Sequence, residues 1–337
     1  MSGIKSATAE RSGMLLFVGR RILIALGLLL VMSFVTFMLM RLTPGNYLDT
    51  MRLDPQISPE TLARYEQRYQ LDKPPVVQYF FWLAGVVRGD LGFSFYYNVP
   101  VSRVIAPRVL NTLVLSLSAF LFTWLVALPL GIYAALRQGS WVDRIIQAMA
   151  YVLLSVPGFL LALLLLLWAS RTGFLPLGGA ASAGHEHMGW LARMADSLQH
   201  LVLPTLALSL GSIAALQKLM RGSLLEVLGR PFMSALRAKG ISEWRAVYFH
   251  AVRNALNPLI TLLGYEFSGL LSGAALMEIV LSWPGLGALM LTAVRSKDIY
   301  LVMASMLMGG VMFIVGNLLA DILLAKADPR IRFGGRK

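Results

Sequence analysis

The sequence predicts an all-α membrane protein with six transmembrane helices. Of its 337 residues, 57% are hydrophobic and only 14% are charged, and the mean hydropathy is +0.68. A soluble domain needs more polar residues than this to cover its surface. The second observation is that charged residues separate six apolar runs of about 20 residues or more, the length that a helix needs to cross the hydrocarbon of a bilayer.

The predicted spans follow one another along the whole chain. They cover residues 22–40, 109–136, 145–170, 197–217, 259–280 and 299–325. No small-residue cleavage pattern follows the first run, so we expect a retained anchor rather than a removed signal peptide. An even number of spans places both termini on the same side of the membrane. Pro129, Pro157 and Pro204 interrupt three spans, either as hinges or as ordinary kinks tolerated by packing.

Basic residues indicate which side the termini occupy. Segment 218–253 carries seven Lys and Arg residues against Glu226 and Glu243 only. By the positive-inside rule this loop is cytoplasmic, and the basic tail after the last span agrees. The predicted division is a cytoplasmic tail, first span and extracytoplasmic region at 1–108, a core of five spans at 109–326 with a cytoplasmic loop at 221–258, and a cytoplasmic tail at 327–337.

Turn and helix signals after the first span predict a small helical extracytoplasmic insertion. They are the Pro44-Gly45 turn, the Ser58-Pro59-Glu60 helix start and an amphipathic run through Leu62, Tyr65, Tyr69 and Leu71.

Composition and absent motifs disfavour several functions. A formal net charge of +13 would suggest nucleic acid in a soluble chain, but here the charges lie between apolar runs, and no basic segment is interleaved with an aromatic surface. The chain has no cysteine, which excludes disulfides and thiolate chemistry. It also lacks a Gly-rich turn ending in Gly-Lys-Ser or Gly-Lys-Thr, so the chain cannot supply ATP chemistry itself.

The basic loop predicts two short helices joined by a sharp turn. Pro231 suits the first turn of a helix, and Gly240 suits its left-handed end. Ser242 then offers an N-cap, and Glu243 complements the dipole of the second helix.

The second helix carries one apolar stripe at three- and four-residue spacing, made of Trp244, Val247, Tyr248, Ala251 and Ala255. Two interpretations stay open. The stripe packs against the chain's own helix ends or the lipid interface, or it inserts into a groove of another protein, where Ala235 and Ala238 permit close approach.

The same loop resembles the cytoplasmic loop of ABC importer permeases. Ser234-Ala235-Leu236 followed by Gly240 occupies the position of that superfamily's Glu-Ala-Ala and Gly, although only Ala235 and Gly240 match. The looser Arg-Ala-Lys-Gly form of peptide permeases is present at 237–240, and their His-Ala-x-Arg-Asn-Ala at 250–255. The superfamily's downstream Leu-Pro is absent, and Val252-Arg253 stands there instead.

Further stretches resemble the oligopeptide/dipeptide (peptide/nickel) permeases specifically, and the resemblance runs from about residue 20 to 332. They are Arg41-Leu42-x-Pro44-Gly45, Leu71-Asp72-x-Pro74, Gln78-Tyr79, Trp82, Gly89-Asp90-Leu91-Gly92-x-Ser94 and Glu278-x-x-x-Ser282-Trp283-Pro284-Gly285-Leu286-Gly287.

The resemblance implies a type I ABC importer permease fold and a transport subunit that is not itself an enzyme. It implies a second homologous permease, two ABC ATPase subunits that bind ATP and Mg²⁺, an extracytoplasmic solute-binding protein, and no cofactor on this chain. The expected solute is a di- or oligopeptide, carried across the bacterial inner membrane by alternating access, with nickel, glutathione, opines or sugars as alternatives. The expected ATPase-coupling residues are Ser234, Ala235, Leu236, Gly240, Glu243, Trp244, Arg245 and Tyr248.

Charges inside spans are functional candidates by default. Glu266 either lines the passage and meets a peptide's amino group, or hydrogen-bonds to the partner permease. For Glu278, near the outer end of the fifth span, we expect a structural role in fixing the following turn.

Other classes have weaker support. An ion-coupled secondary transporter needs an intramembrane ion site and usually a repeated fold, and only Glu266 offers a start. A membrane hydrolase is also disfavoured, because this chain has no Ser/His pair within its predicted spans and no His-Glu-x-x-His motif. His185 and His187 form a weak metal candidate, because a His-x-His on a loop is more often solvated, although some relatives of the family carry nickel.

Overall fold

The computed structural model describes residues 2–43, 52, 58–68 and 70–327, with side chains described from residue 19 to residue 318. Pro44, Gly45 and Tyr69 of the predicted outer region, and the tail from residue 328, lie outside the described residues.

The described chain is mostly helical. Its α-helices are α1 (Ser2–Leu42), α2 (Pro59–Arg68), α3 (Pro75–Val87), α4 (Val101–Leu136), α5 (Trp141–Ser155), α6 (Gly158–Thr172), α7 (Trp190–Leu228), α8 (Pro231–Ala238), α9 (Glu243–Arg245), α10 (Val252–Ala255), α11 (Asn257–Val280), α12 (Leu286–Arg295) and α13 (Ile299–Ala327). A 3₁₀ turn lies at His185–His187 and a π-helix at Ala246–Ala251. Strand β1 (Phe93–Ser94) pairs antiparallel with β2 (Val99–Pro100), with Phe93 opposite Pro100.

Within the described residues, five continuous helices are long and apolar enough to cross a membrane. They are α1 from Gly19 onward, α4, α7, α11 and α13 up to Leu318. The helices α5 and α6 pass the same test together, as a pair bent by 106°. These six segments correspond to the six predicted spans, so the predicted all-α membrane fold is confirmed.

The third predicted span, 145–170, is broken rather than continuous. Val156 adopts an extended conformation (φ −95°, ψ 128°), which a following proline favours because its ring clashes with the helical conformation of the preceding residue. Pro157 then caps the start of α6. The other two prolines do not break the helices that contain them, since α4 continues through Pro129 and α7 through Pro204.

The described contacts divide the chain into two compact units. The first contains the chain up to Asn111 together with Pro284–Val315, and the second contains Thr112–Trp283 together with the part of α13 that begins at Gly316.

In the first unit, α3 packs on α1 through Tyr79. The Tyr79 hydroxyl lies 2.9 Å from Ser33 Oγ and donates to the Leu30 carbonyl at 3.2 Å. Its ring also meets Phe34 and Phe37 edge-on. The predicted helical insertion after the first span therefore includes a helix that is tied to α1 by both polar and aromatic contacts.

The β-hairpin of the first unit is held to the start of α13 by the buried Asp298. Ser94 Oγ donates to Asp298 Oδ2 at 2.6 Å, and the Tyr96 amide donates to the same oxygen at 3.1 Å. The Leu301 amide donates to Oδ1 at 3.3 Å. Burial raises the pKa of the Asp298 carboxyl, and these hydrogen bonds oppose the rise. The hairpin is thus fixed to the start of α13 by hydrogen bonds from Ser94 and Tyr96 to Asp298.

The long helix α7 is the centre of the second unit, where α5, α6 and α11 pack against it. Leu203 and Ala207 in its first half lie in a buried cluster with Ala274 of α11. Met220 and Leu224 in its second half belong to another buried cluster, which includes residues of the loop that follows. A single helix therefore connects the apolar core of this unit to the loop.

Candidate functional site

The loop between α7 and α11 folds into short helices around a glycine turn. Arg230 is extended (φ −75°, ψ 146°), and Pro231 occupies the first turn of α8. Gly240 has φ +75°, a left-handed conformation that costs a side-chain-bearing residue steric energy. The predicted helix start at Pro231 and the predicted glycine stop are both confirmed.

A two-pronged ion pair closes this turn. Arg237 Nε donates to Glu243 Oε2 at 2.9 Å, and Nη2 donates to Oε1 at 2.7 Å. The hydrogen bond from Arg237 holds the pKa of the Glu243 carboxyl below its ordinary value, and the carboxylate raises the pKa of Arg237. The planar guanidinium matches the carboxylate on both oxygens, which fixes orientation as well as distance.

Ser242 occupies the predicted N-cap position of the second helix (φ −57°, ψ 144°), but its side chain does not form the expected capping hydrogen bond among the described residues. Its carbonyl oxygen accepts from the Ala246 amide at 2.9 Å instead. The start of the second helix is held by this backbone bond and by the Arg237–Glu243 pair.

A π-helix splits the predicted apolar stripe. The helix α9 has only three residues before the chain continues into the wider turn Ala246–Ala251, which has i→i+5 bonding. Val247, Ala251 and Ala255 are buried, whereas Trp244 and Tyr248 are exposed. The wider turn advances the chain by more residues than the 3.6 of an α-helix, so the five positions do not share one face.

The exposed side of the loop carries an aromatic cluster, defined here as Trp244, Tyr248 and Phe249. The exposed fractions of the three residues are 62%, 44% and 62%. The Trp244 ring lies 5.5 Å from the Tyr248 ring and 5.7 Å from the Phe249 ring, between centroids. Sequence periodicity missed Phe249, because an α-helical spacing leaves it off the stripe.

The inner side of the loop packs on the end of α7. Met233 of α8 and Ala246 of the π-helix are fully buried in the same cluster as Leu224 of α7. Leu236 packs on this cluster from α8. Packing against the chain's own helix end is therefore confirmed for Ala251 and Ala255 of the stripe, whereas insertion into a groove of another protein stays a prediction.

The remaining predicted coupling residues lie on the exposed side. Ser234, Ala235, Gly240, Glu243 and Arg245 are all exposed. The structure therefore places them, like the aromatic cluster, on the solvent-exposed surface of this loop.

The two predicted intramembrane carboxylates differ in their surroundings. Glu278 is fully buried and accepts a hydrogen bond from Thr112 Oγ1 at 2.5 Å. Its carbonyl oxygen accepts from the Trp283 amide at 2.9 Å, so the residue holds both α4 and the turn after α11. Glu266 is partly buried, and its Oε1 is buried without a hydrogen-bond partner among the described residues.

His185 and His187 lie in the 3₁₀ turn between α6 and α7. His185 Nδ1 is 2.7 Å from Asp196 Oδ2, and Ser182 donates to the same carboxylate through its amide at 2.9 Å and its hydroxyl at 2.5 Å. His187 is exposed. No group of three or more His, Cys, Asp or Glu in the described part of the chain could hold a metal ion.

Two protein-family descriptions match this chain. Residues 127–333 match the binding-protein-dependent transport system inner membrane component, and residues 14–118 match the N-terminal part of such membrane components. The chain belongs to this family of inner membrane permeases. The permease is therefore a multi-pass membrane protein and a transport subunit.

Relatives cover nearly the whole permease. It is 34% identical to the oligopeptide transport system permease protein AppB of Bacillus subtilis, over 94% of this chain and 99% of AppB. It is 36% identical to a putative peptide transport system permease protein of Brucella abortus, over 93% and 98%. It is 33% identical to the dipeptide transport system permease protein DppB of Alkalihalophilus pseudofirmus, over 95% and 100%.

A solved structure shares the fold. A chain of the MetNI methionine ABC transporter matches this permease with a TM-score of 0.50 and 16% sequence identity, over 67% of the permease and 96% of that chain. The expected type I ABC importer permease fold is thereby confirmed.

Proposed function

We propose that this permease is the membrane-spanning subunit of an ATP-driven, binding-protein-dependent importer of di- and oligopeptides. A separate ATPase subunit docks on the solvent-exposed side of the 230–256 loop. The aromatic cluster carries this proposal, because it exposes three large rings on a loop outside the spans of a transport subunit. Clustered aromatic residues are typical anchors in protein interfaces.

The exposed and buried sides of the loop suit it to pass movement from a docked ATPase to the membrane-spanning helices. The inner side is buried against α7 through Met233 and Ala246, so a displacement of the loop moves the end of that helix. The Arg237–Glu243 pair holds α8 and α9 as one body across the Gly240 turn. An ATPase that closes on ATP would push this body and drive the spans between outward- and inward-facing states.

The orientation in this proposal places the loop and both termini in the cytoplasm. Its basis is the excess of Lys and Arg over acidic residues in segment 218–253. The helical insertion after α1 then faces outward, where a solute-binding protein delivers its cargo. ATP and Mg²⁺ bind to the ATPase subunits, and the permease itself carries no cofactor.

A second, homologous permease completes the passage in this proposal. Glu266 supports a contact there, because a buried carboxylate oxygen is costly until it accepts a hydrogen bond. A donor from the second permease, or the amino group of a passing peptide, would satisfy it. Glu266→Gln would weaken pairing of the two permeases in the first case and lower peptide affinity in the second.

Peptide is the proposed solute because the relatives over the full length are named as oligopeptide, dipeptide or peptide permeases. Nickel, glutathione, opines and sugars are the competing solutes within the same machinery. An ion-coupled secondary transporter is the competing class, for which Glu266 is the candidate ion site.

The test is ATP hydrolysis by the co-purified complex in nanodiscs, with and without its binding protein and candidate peptides. We expect peptide-loaded binding protein to stimulate hydrolysis. Trp244→Ala should lower the amount of co-purified ATPase by about tenfold, as expected for an aromatic anchor. Trp190→Ala is the matched control, since Trp190 is 70% exposed but lies at the start of α7, away from the loop.

The outcomes separate the candidates. Stimulation by another solute in place of peptide keeps the importer and corrects the solute. Purification of the permease without any ATPase, together with solute movement on an ion gradient, overturns the proposed function.

A further inference from the structure

A partly buried ion pair joins the start of α5 to the last part of α7. Arg221 Nε donates to Asp143 Oδ1 at 2.7 Å, and Arg221 Nη2 donates to Asp143 Oδ2 at 2.7 Å. The two residues are separated by 78 positions in the chain. Such a two-pronged pair fixes both the distance and the relative rotation of the helices that carry it.

The pair is more enclosed than the ion pair between Glu226 near the end of α7 and Arg230 of the loop. The side chains of Asp143 and Arg221 are 4% and 23% exposed. Those of Glu226 and Arg230 are 70% and 54% exposed. An exposed pair is screened by solvent and can move freely, whereas a buried pair is held in one geometry because leaving either charge unpaired is costly.

Asp143 also fixes the turn that precedes α5. The Gly139 amide donates to Asp143 Oδ2 at 2.9 Å, and the Asp143 amide donates to Ser140 Oγ at 3.3 Å. Gly139 is left-handed with φ +79°, which closes the tight turn after α4. The Asp143 carboxylate therefore accepts hydrogen bonds both from the α4–α5 turn and from Arg221 of α7.

Arg221 lies on the part of α7 that the loop packs against. The helix runs without a break from Arg221 to Leu228, and Leu224 within this stretch is buried with Met233 of α8. Beyond the ion pair, α5 runs to the break at Val156, where the chain bends by 106° into α6. A continuous path of packed or bonded groups thus runs from the loop to the bend.

We propose that Asp143 and Arg221 are positioning residues that pass the displacement of the docked loop to the bent α5–α6 pair. This inference rests on the proposed docking of an ATPase at the loop. When the loop moves the end of α7, the two hydrogen bonds from the Arg221 guanidinium to Asp143 move α5 together with α7. The angle between α5 and α6 then changes at the junction of Val156 and Pro157, where Val156 is already extended and Pro157 has no amide hydrogen to donate.

The chemistry of the pair gives three informative variants. Arg221→Lys keeps the positive charge but loses the two-pronged geometry. Asp143→Asn keeps an oxygen for the Gly139 amide and loses the charge. The double variant Asp143→Asn/Arg221→Gln leaves no unpaired buried charge, so we expect it to restore folding relative to Asp143→Asn alone.

The measurement is made on the full complex in proteoliposomes. For each variant it records the basal ATP hydrolysis, the hydrolysis stimulated by peptide-loaded binding protein, and the peptide transported per ATP. We expect Arg221→Lys to assemble with its ATPases and keep basal hydrolysis, while peptide transported per ATP falls by about tenfold, a typical size for coupling between sites.

The double variant distinguishes positioning from simple stability. If the pair only stabilised the fold, coupling would return together with the unfolding temperature. We expect the unfolding temperature to return and the coupling to stay low. Arg144→Lys is the matched control, because Arg144 is the exposed neighbour of Asp143 and stacks 5.6 Å from the Trp141 ring centre.

Two results would overturn the inference, and they differ. If the wild-type permease carries no ATPase, the proposed function fails and this inference fails with it. If the wild-type complex is active and either Arg221→Lys or the double variant transports as much peptide per ATP as wild type, only the inference fails.

Discussion

Gly131 of α4 lies against the backbone of Gln217 in α7. A methyl group at Gly131 would stand 2.7 Å from the Gln217 carbonyl oxygen and 2.7 Å from Met220 Cβ. The carbonyl belongs to a helix backbone and cannot move aside as a flexible side chain would. The absence of a side chain at Gly131 therefore sets how closely α4 approaches α7.

Gly131→Ala should destabilise the permease by about 1–3 kcal/mol, the usual cost of overpacking a well-packed core. Thermal unfolding in detergent measures the effect. Gly211→Ala in α7 is the matched control, because a methyl group at Gly211 meets no atom within 4 Å. Alanine is also the better helix former, so the control should be neutral or slightly more stable. Equal loss of stability in both variants would contradict the close contact.

Gly240→Ala should cost about 1 kcal/mol of local turn stability, because alanine resists the left-handed conformation. Crowding does not contribute, since nothing lies within 4 Å of the position. Gly240→Asn is the control, because asparagine tolerates this conformation better than alanine. ATPase co-purification and thermal unfolding should rank the variants as glycine, asparagine, alanine. A ranking with asparagine below alanine would show that size, rather than backbone conformation, limits the position.

The Arg237–Glu243 pair predicts a specific dependence on pH. Arg237 lowers the pKa of the Glu243 carboxyl, so the pair contributes stability above the ordinary carboxylate pKa of about 4.3. That contribution is lost only as pH falls through the lowered value in the folded protein. The difference in unfolding temperature between wild type and Glu243→Gln should therefore be small and constant near neutral pH.

In acid the two unfolding curves should converge. The difference near neutral pH is small because both side chains are at least half exposed. Glu226→Gln, which removes a neighbouring exposed pair with Arg230, serves as the comparison. A difference that grows as pH falls would mean that the carboxylate is not stabilised by Arg237.

The buried bond from Thr112 to Glu278 predicts a loss on removing one hydroxyl group. Thr112→Val keeps the shape of the side chain but takes a donor away from a fully buried carboxylate. We expect a loss of about 1–3 kcal/mol in thermal unfolding. Thr112→Ser retains the hydroxyl and should lose less. If valine is as stable as serine here, the hydroxyl does not support Glu278.

The absence of native cysteine allows the orientation to be tested without background labelling. Lys73 precedes α3 in the insertion and Lys239 lies in the loop, and both are exposed. A membrane-impermeant maleimide applied to intact spheroplasts should label Lys73→Cys and leave Lys239→Cys unlabelled. Both should react once the membrane is opened. The reverse pattern in intact spheroplasts would invert the proposed orientation.

Local chemistry made much of the loop predictable from the sequence. Proline fixes its own φ and glycine tolerates a positive φ, so Pro231 and Gly240 identify a helix start and a left-handed end without knowledge of the rest of the chain. The spans were predictable for a similar reason, because bilayer thickness sets the length of an apolar run.

Features that depend on packing were not predictable in this way. The π-helix places Phe249 beside Trp244, and the spacing of an α-helix gives no sign of it. The same applies to Asp143 and Arg221, which lie 78 positions apart and meet only because α5 packs on α7. The third span is predicted as one apolar run because no charge interrupts it, and Pro157 indicates a hinge or a kink without giving the size of the bend.

The bend between α5 and α6 also determines how far this part of the chain reaches. At about 1.5 Å per residue, a straight helix from Trp141 to Thr172 would be about 48 Å long, well beyond the roughly 30 Å of hydrocarbon. With the observed 106° bend, two arms of about 22 Å each bring their ends to about 27 Å apart. A wider angle would lengthen the segment and a narrower angle would shorten it, so the angle at one joint sets how far apart the two ends of this segment lie.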